Sequence, residues 1–480
     1  MIKLGFDGSS MDGFRQSIQK INYGGNFIVS DYKLIPILGV FFFFEILYDK
    51  SIVKKNICNQ EEGKSMKYIL IIGDGMADNP VPELEGKTPL EAVHKPHMDA
   101  LAQRGMLGSV LTVPKNLVPG SDTAILSIFG CDPNLYYTGR SPLEAAGSGV
   151  ELHPGDVSYR CNMISLEDID APFAEKKILS HSAGSIEGDA SIALITWLFQ
   201  EPEFHAAAEA VGMRIEPSPS FRHIAVQKNA DIKGFIAAPP HDHLGEVIGT
   251  FPLRGNENAE KLWALMELAH QKLNHHPINE ARRAEGKLPA NGIWFWAEGT
   301  AVKLPSFVEA YHHGGSVISA VPLVHGIGAL TGLKRITVEG ATGENDTNFE
   351  GKVQAAYEAL MAGDDFVCVH IEAPDEATHN GRLDHKLEAI EFLDSRVVAP
   401  LTEKLDSAHV DYRILMLSDH KTLMSTRGHD GDPVPFVIYD STKDTHAAKP
   451  YTESCGLEGP FVDQGTKLMG MLFGGESNDQ

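Results

Sequence analysis

Little in this sequence invites an extracellular, membrane-spanning or nucleic-acid-binding reading. Its 480 residues hold five cysteines, Cys58, Cys131, Cys161, Cys368 and Cys455, an odd number without a C-x-x-C pair. That excludes a disulfide framework or zinc ribbon and points to reduced thiols in a cytoplasm. No unbroken apolar run reaches the roughly 20 residues that a transmembrane helix needs. The strongest, Leu34 to Tyr48, contains Pro36 and Glu45 and stands too far from the N-terminus for a good signal peptide. Basic residues are outnumbered, 41 Lys and Arg against 65 Asp and Glu, for a net charge of −24. Nucleic acid and anionic membrane surfaces are therefore unfavourable partners. There is no internal repeat and no low-complexity tract. Two nucleotide-binding patterns fail as well: Val81 stands where a P-loop ending in Gly86-Lys-Thr88 needs glycine, and Gly326-Ile-Gly328 lacks the third glycine of a dinucleotide fingerprint.

What remains is an ordinary globular composition, 42% hydrophobic, in a chain long enough for two or three domains. The first 65 residues differ from the rest. Gln60-Glu-Glu62 is compatible with a purine-rich ribosome-binding sequence just ahead of Met66, where a regular α/β pattern begins. Met66 is therefore expected to be the native start, with residues 1–65 a leader or non-native extension; the alternative is a genuine membrane-associating extension.

From Met66 the pattern is strand, helix, strand. Lys67-Tyr-Ile-Leu-Ile-Ile72 reads as a buried strand that leaves Asp74 at its C-terminal tip. Pro96–Gln103 reads as a helix with proline near its start, and Pro119-Gly120 as a turn that places Ser121 at a helix N-terminus. Further strands are expected at 293–296, 316–320, 335–338, 365–370, 413–417 and 435–439. Strands separated by helix-length segments imply an α/β fold, a mostly parallel sheet covered by helices on both faces. Residues 66–149 and 290–480 are expected to form the metal-binding core. Residues 150–289, poor in paired Asp and His, are expected to form an inserted α+β lid that binds substrate. Trp294 and Trp296 alternate as strand residues do and read as core packing.

The chemistry lies in two clusters, Asp375-Glu-Ala-Thr-His379 and Ser418-Asp-His420 with His429 nine residues on. Carboxylate and imidazole are good ligands for divalent metals. Spacing of i, i+4 puts Asp375 and His379 on one helical face. Asp419 and His420 should sit just past a strand's C-terminal end, where open α/β sheets place their sites. With Asp74 and Ser121 the set suits two metals, one held by Asp375, His379 and His429, the other by Asp74, Asp419, His420 and the Ser121 oxygen. Coordination would activate that serine as a nucleophile, and two cations would stabilise a phosphoryl group in transfer. Taken singly, Ser121 is an ordinary helix N-cap.

The motifs Gly73-Asp-Gly75, Pro119-Gly-Ser-Asp122, Tyr137-Thr-Gly-Arg-Ser-Pro-Leu-Glu-Ala145, Tyr159-Arg-Cys-Asn162, Arg222-His223, Pro240-His-Asp242, Ile371-Glu-Ala-Pro-Asp375, Ser418-Asp-His420 and Gly431-Asp-Pro-Val-Pro435 follow one another in order. In them the chain from Met66 to about Asp440 resembles the archaeal-type cofactor-independent phosphoglycerate mutases of the alkaline phosphatase superfamily. The resemblance implies interconversion of 3- and 2-phosphoglycerate through a phosphoserine at Ser121. It implies two divalent ions, Mn²⁺ first with Zn²⁺, Co²⁺ or Mg²⁺ as alternatives, and no 2,3-bisphosphoglycerate. Arg140, Arg160 and Arg222 become candidates for gripping carboxylate and phosphate. Asp122, His241 and Asp242 become candidate acid/base or orienting groups. Two departures stand out: His325 occupies a position where relatives often carry lysine, and Arg427-Gly-His-Asp430 replaces the commoner Arg-Thr-His-Thr. The rival activities are a homoserine kinase-type phosphotransfer, a phosphatase, and a non-catalytic metal-binding role.

Overall fold

The computed structural model describes residues 66–443 and 449–474. The expectations for residues 1–65, including the start at Met66 and the apolar run Leu34 to Tyr48, fall on the chain outside the described residues. Among the described residues no helix is long and apolar enough to cross a membrane.

Eight strands form the main sheet. In spatial order they are Phe461–Val462, Met106–Val110, Val434–Asp440, Tyr412–Leu417, Lys67–Gly73, Phe366–Ile371, Gly315–Ile318 and Lys334–Ile336. Lys67–Gly73 runs parallel to both neighbours, in register Ile72 to His370 and Ile72 to Leu417. Val434–Asp440 pairs antiparallel with both of its neighbours and is the one reversed strand. Side chains along a strand alternate between faces. The unbroken burial of Phe366–Ile371 therefore means that both sheet faces are covered. Consecutive Val, Ile and Leu in these strands follow from that, since no position faces water.

A second sheet of five strands lies in the middle of the chain, Asp156–Leu166 pairing antiparallel with Ile178–Ser180, Arg222–Lys228 and Gly292–Thr300. Met213–Glu216 completes it against Arg222–Lys228. The run Ile293–Trp296 thus belongs to this sheet, not to the main one where the sequence pattern resumed it. The reason is partnership: Ile293, Trp294 and Phe295 are fully buried in the apolar cluster of residues 157–296. The other large cluster gathers residues 69–143 and 304–472. The helix Arg140–Gly147 stands between them, its Ala145 packing with Ile224 and Val226 of the second sheet.

Three neighbouring parallel strands, Tyr412–Leu417, Lys67–Gly73 and Phe366–Ile371, all release the chain at one sheet edge. Asp419-His420, Asp74 and the helix Ala373–His379 follow directly. The helix Ser121–Ile128, capped by Gly120, brings Ser121 to the same edge.

Candidate active site

Asp375 and His379 occupy one face of the helix Ala373–His379, with His379 Nε2 3.1 Å from Asp375 Oδ2. His429, on the short strand Gly428–Asp430, brings Nε2 to 3.5 Å from Asp375 Oδ1 and 3.0 Å from His379 Nε2. The ring orientations are set from behind. His379 Nδ1 lies 2.8 Å from the Arg427 carbonyl and His429 Nδ1 3.3 Å from that of Pro119. A carbonyl only accepts, so each Nδ1 carries the proton and each Nε2 turns a lone pair inward. Two such lone pairs 3.0 Å apart, beside a carboxylate, need a positive charge between them. A proton meets the need in part: the hydrogen bond to Asp375 pushes the His379 imidazole up to about 9. Burial opposes ionisation of Asp375, yet the close His379 and His429 rings hold it well below the usual carboxylate range.

The second group is buried. Ser121 Oγ stands 3.4 Å from Asp74 Oδ2 and 3.3 Å from His420 Nε2. His420 Nε2 lies 3.3 Å from Asp419 Oδ2 and 3.6 Å from Asp74 Oδ1. Its Nδ1 faces Thr422 Oγ1 at 3.2 Å, and that hydroxyl donates its own proton to Asp375 Oδ1 at 2.5 Å. His420 Nδ1 therefore holds the ring proton and Nε2 again offers a lone pair. Asp74 Oδ1 and Asp419 Oδ2 are buried without any hydrogen-bond partner. Burial, with Asp419 and Asp375 close by, raises the Asp74 carboxyl well above its ordinary value. Orphaned carboxylate oxygens and inward imidazole nitrogens are what a divalent cation would satisfy. Ligand atoms of Asp375, His379 and His429 lie within 4.8 Å of one another, as do those of Asp74, Asp375 and His420. Asp375 is thus in reach of both groups, a sharing that its single sequence position did not reveal.

Space at this edge is tight. Gly75 has φ +58°, and a Cβ there would stand 2.4 Å from Thr422 Oγ1 and 2.6 Å from Asp375 Oδ1. Glycine is required both for the left-handed turn and for the close approach.

A cleft of about 870 Å³ opens beside His379, lined by Arg140, Arg160, Arg222 and His241 on one side and Glu372 and Glu376 on another. Glu144 accepts from Arg160 Nε at 2.7 Å, from its Nη2, and from Arg140 Nε at 3.0 Å. One carboxylate thus accepts three hydrogen bonds from two guanidinium groups. The Arg160 guanidinium lies over Trp296, 4.7 Å from the ring centre, and that of Arg222 over Phe221 at 5.2 Å. Arg222 Nε is buried without a partner, and burial beside Arg160 pushes the group down to about 10. Burial, with Glu376 and Asp375 nearby, pushes Glu372 up to about 8.

Three other sequence candidates do not line the cleft. Asp122 is buried beside Ser121 and accepts from the Tyr137 hydroxyl at 2.6 Å and the Thr123 amide at 2.9 Å. Asp242 is exposed, 3.6 Å from His241. His325 is buried in the helix Pro322–Leu330, its Nε2 2.8 Å from the Ser319 carbonyl. Burial lowers its pKa, so it stands as a neutral ring at the position where relatives often carry lysine. Sequence reasoning missed Glu144, Thr422 and His370. Glu144 sat unweighed inside a matched motif, and His370 looked like part of an apolar strand.

Comparison with known proteins decides the lineage. The chain is 46% identical over 414 residues to a probable 2,3-bisphosphoglycerate-independent phosphoglycerate mutase of Geobacter sulfurreducens, covering 85% of this chain and 100% of that relative. The chain belongs to this family. The family model described as 2,3-bisphosphoglycerate-independent phosphoglycerate mutase matches residues 102–279. The Methanosarcina acetivorans mutase is 45% identical over 409 residues, 85% of this chain and 99% of that one. Among solved structures, a Pyrococcus horikoshii protein superposes with a TM-score of 0.69 at 30% identity, over 85% of this chain and 97% of its own. A cofactor-independent phosphoglycerate mutase of Thermoplasma acidophilum superposes with a TM-score of 0.54 at 26% identity, over 85% and 98%. Family membership, the α/β fold and the arrangement at the sheet edge agree with one another.

Proposed function

We propose that the protein interconverts 3-phosphoglycerate and 2-phosphoglycerate in the cytoplasm without 2,3-bisphosphoglycerate, through a phosphoserine at Ser121. The observation that carries the reading is the convergence at one edge. Ser121 Oγ sits 3.3–3.4 Å from Asp74 and His420, next to a second group of inward-facing ligand atoms. Asp375, His379 and His429 would hold one divalent ion, and Asp74, Asp419 and His420 a second with the Ser121 oxygen. Such ions lower the pKa of a bound hydroxyl and neutralise charge on a phosphoryl group. Mn²⁺ is the ion the family resemblance favours, while a mixed carboxylate and imidazole set accepts Zn²⁺, Co²⁺ or Mg²⁺ as well.

The chain's own residues do the rest. The helix that begins at Ser121 directs its first backbone amides toward an incoming phosphate. Arg140, Arg160 and Arg222 form a cationic wall able to take the substrate carboxylate and the phosphate in bidentate fashion. Residues 150–289, extended to the end of the Gly292–Thr300 strand, act as the substrate-binding lid. Closure over the core excludes water, so that the glycerate reorients and recovers its phosphoryl group before hydrolysis. His241 and Asp242 would enter at that closure, and Asp122, fixed by Tyr137, would keep the Ser121 turn in place.

An enolase-coupled assay of the purified protein with 3-phosphoglycerate and Mn²⁺ tests the reading. Turnover is expected, with Ser121→Ala abolishing it while Mn²⁺ still binds at Asp375, His379 and His429. Full activity in Ser121→Ala would sink the phosphoserine route. ATP-dependent phosphorylation of homoserine without mutase turnover would replace the substrate.

A further inference from the structure

The two carboxylate oxygens of Asp74 have different surroundings. Oδ2 lies 2.9 Å from His370 Nε2. Oδ1 has no hydrogen-bond partner and faces His420 Nε2 at 3.6 Å. His370 is tethered in turn. Its Nδ1 stands 3.1 Å from Ser319 Oγ, which accepts from the Val321 amide at 2.9 Å. The Ser319 oxygen keeps a second lone pair, so the direction of its bond with His370 Nδ1 is decided at the other ring nitrogen. With a cation at Oδ1 the Asp74 carboxylate is ionised and only accepts, so the imidazole proton rests on Nε2 and Nδ1 takes the Ser319 hydroxyl proton. The backbone is fixed as well: His370 pairs in register with Ile72, and its carbonyl accepts from the Lys352 ammonium at 3.2 Å.

A fully buried imidazole in a strand otherwise made of Phe, Val, Cys and Ile is unfavourable unless both nitrogens are engaged. Here both are, and the engagement leads to a single carboxylate oxygen. His370 is not among the residues that line the cleft. Any influence it has on chemistry runs through Asp74.

We infer that His370 is a positioning residue for the nucleophile-side cation. By donating Nε2–H to Asp74 Oδ2 it fixes the carboxylate rotamer, with Oδ2 also 3.4 Å from Ser121 Oγ, and leaves the partnerless Oδ1 facing His420. Ser319 anchors the arrangement to the end of the neighbouring strand Gly315–Ile318. The inference rests on the two-cation reading above and adds to it which atom of Asp74 serves as ligand and what holds it there. Outer partners of this kind typically govern metal affinity or activity by about 10- to 100-fold.

Calorimetric titration of the metal-free, full-length protein with Mn²⁺ tests it. The parent should show two binding events. His370→Phe keeps a ring but no donor, and should weaken one event by roughly 10- to 100-fold while leaving the other unchanged. His370→Gln, which returns an N–H near the Nε2 position, should recover most of the loss. Ser319→Ala releases only the tether and should weaken the same event by a smaller factor, which keeps the inference testable if the Phe variant does not fold. A packing role alone would lower the melting temperature without separating the two events. Two parental events in a folded His370→Phe, or in Ser319→Ala where Phe fails to fold, overturn the inference and leave the two-cation reading standing. A parent that takes up a single Mn²⁺ overturns that reading and the inference with it.

Discussion

Replacing Glu144 by glutamine removes one negative charge from a wall that holds three guanidinium groups. The Arg160 side chain is 6% exposed and the Glu144 side chain 8%, so neither can turn to water for compensation. Neutralising one partner of a buried pair costs about 3–5 kcal/mol, because the other charge is left uncompensated. Unfolding entropy of ~2.1 cal/mol/K per residue over roughly 400 residues gives ~0.85 kcal/mol/K. The melting temperature should therefore fall by about 3–6 °C in scanning calorimetry. Burial by itself would raise the Glu144 carboxyl, but the paired Arg160 more than offsets it and holds the group well below the usual carboxylate range. A depressed folded pKa contributes stability that is present above the unfolded value of ~4.3 and is lost only as pH falls through the folded one. The gap between variant and parent should thus stay constant from about pH 5 to pH 8. Adding Arg160→Met removes the stranded cation and should restore part of the loss. A Glu144→Gln protein that melts within about 1 °C of its parent would refute the reasoning.

Arg222→Met should leave stability nearly unchanged, since Arg222 Nε has no internal partner. It should raise KM for phosphoglycerate by about 10- to 100-fold, the worth of one charge-assisted bond of ~1.5–3 kcal/mol, in steady-state assays. Lys386 Nζ, fully buried, lies 2.8 Å from Asp78 and 2.6 Å from the Thr422 carbonyl. Lys386→Met should cost about 3–5 kcal/mol in denaturant unfolding and, by releasing the Thr422 segment, weaken Mn²⁺ binding too. Burial pushes Lys352 down from 10.5 to about 8. Between those values the unfolded chain binds the proton that the folded one has released, so stability rises with pH by roughly 1.4 kcal/mol per unit. That rise should be absent in Lys352→Met, compared by chemical denaturation across the range. Chelation of bound metal should end turnover and lower the melting temperature, and Mn²⁺ at about 100 times its Kd should return ~2.7 kcal/mol, or ~3 °C.

The sheet edge was readable in the sequence because Asp74, Asp375, Asp419 and His420 each come soon after a run of apolar residues. A strand ending in Asp74, another in Ser418-Asp-His420 and a third leading into Asp375 can meet only where parallel strands end together. Direction was less accessible. Pro435–Tyr439 looks like any other buried strand, and only its partners show that it runs against the rest. The run Ile293–Trp296 was assigned to the wrong sheet for the same reason: β-branched and aromatic residues announce a strand but not its neighbours. His370 lay hidden because one polar residue does not disturb an apolar pattern. Glu144 was hidden because its worth depends on arginines that reach it from positions 140 and 160. Pairwise dependence of this sort is a property of three-dimensional neighbours, and one chain read by itself does not display it.

The two apolar clusters have no residue in common, while Arg140 and Glu144 ride on the helix packed between them. Alterations confined to the second cluster can therefore accumulate without disturbing the sheet edge that holds Ser121. A lineage is free to retune which small anion the cleft prefers while inheriting its phosphoryl chemistry intact. The connecting helix has no such freedom, because any change at Arg140 or Glu144 is felt on both sides of the seam. Variation among relatives should accordingly be lowest along that one short helix and higher on the faces of the second sheet that turn away from it.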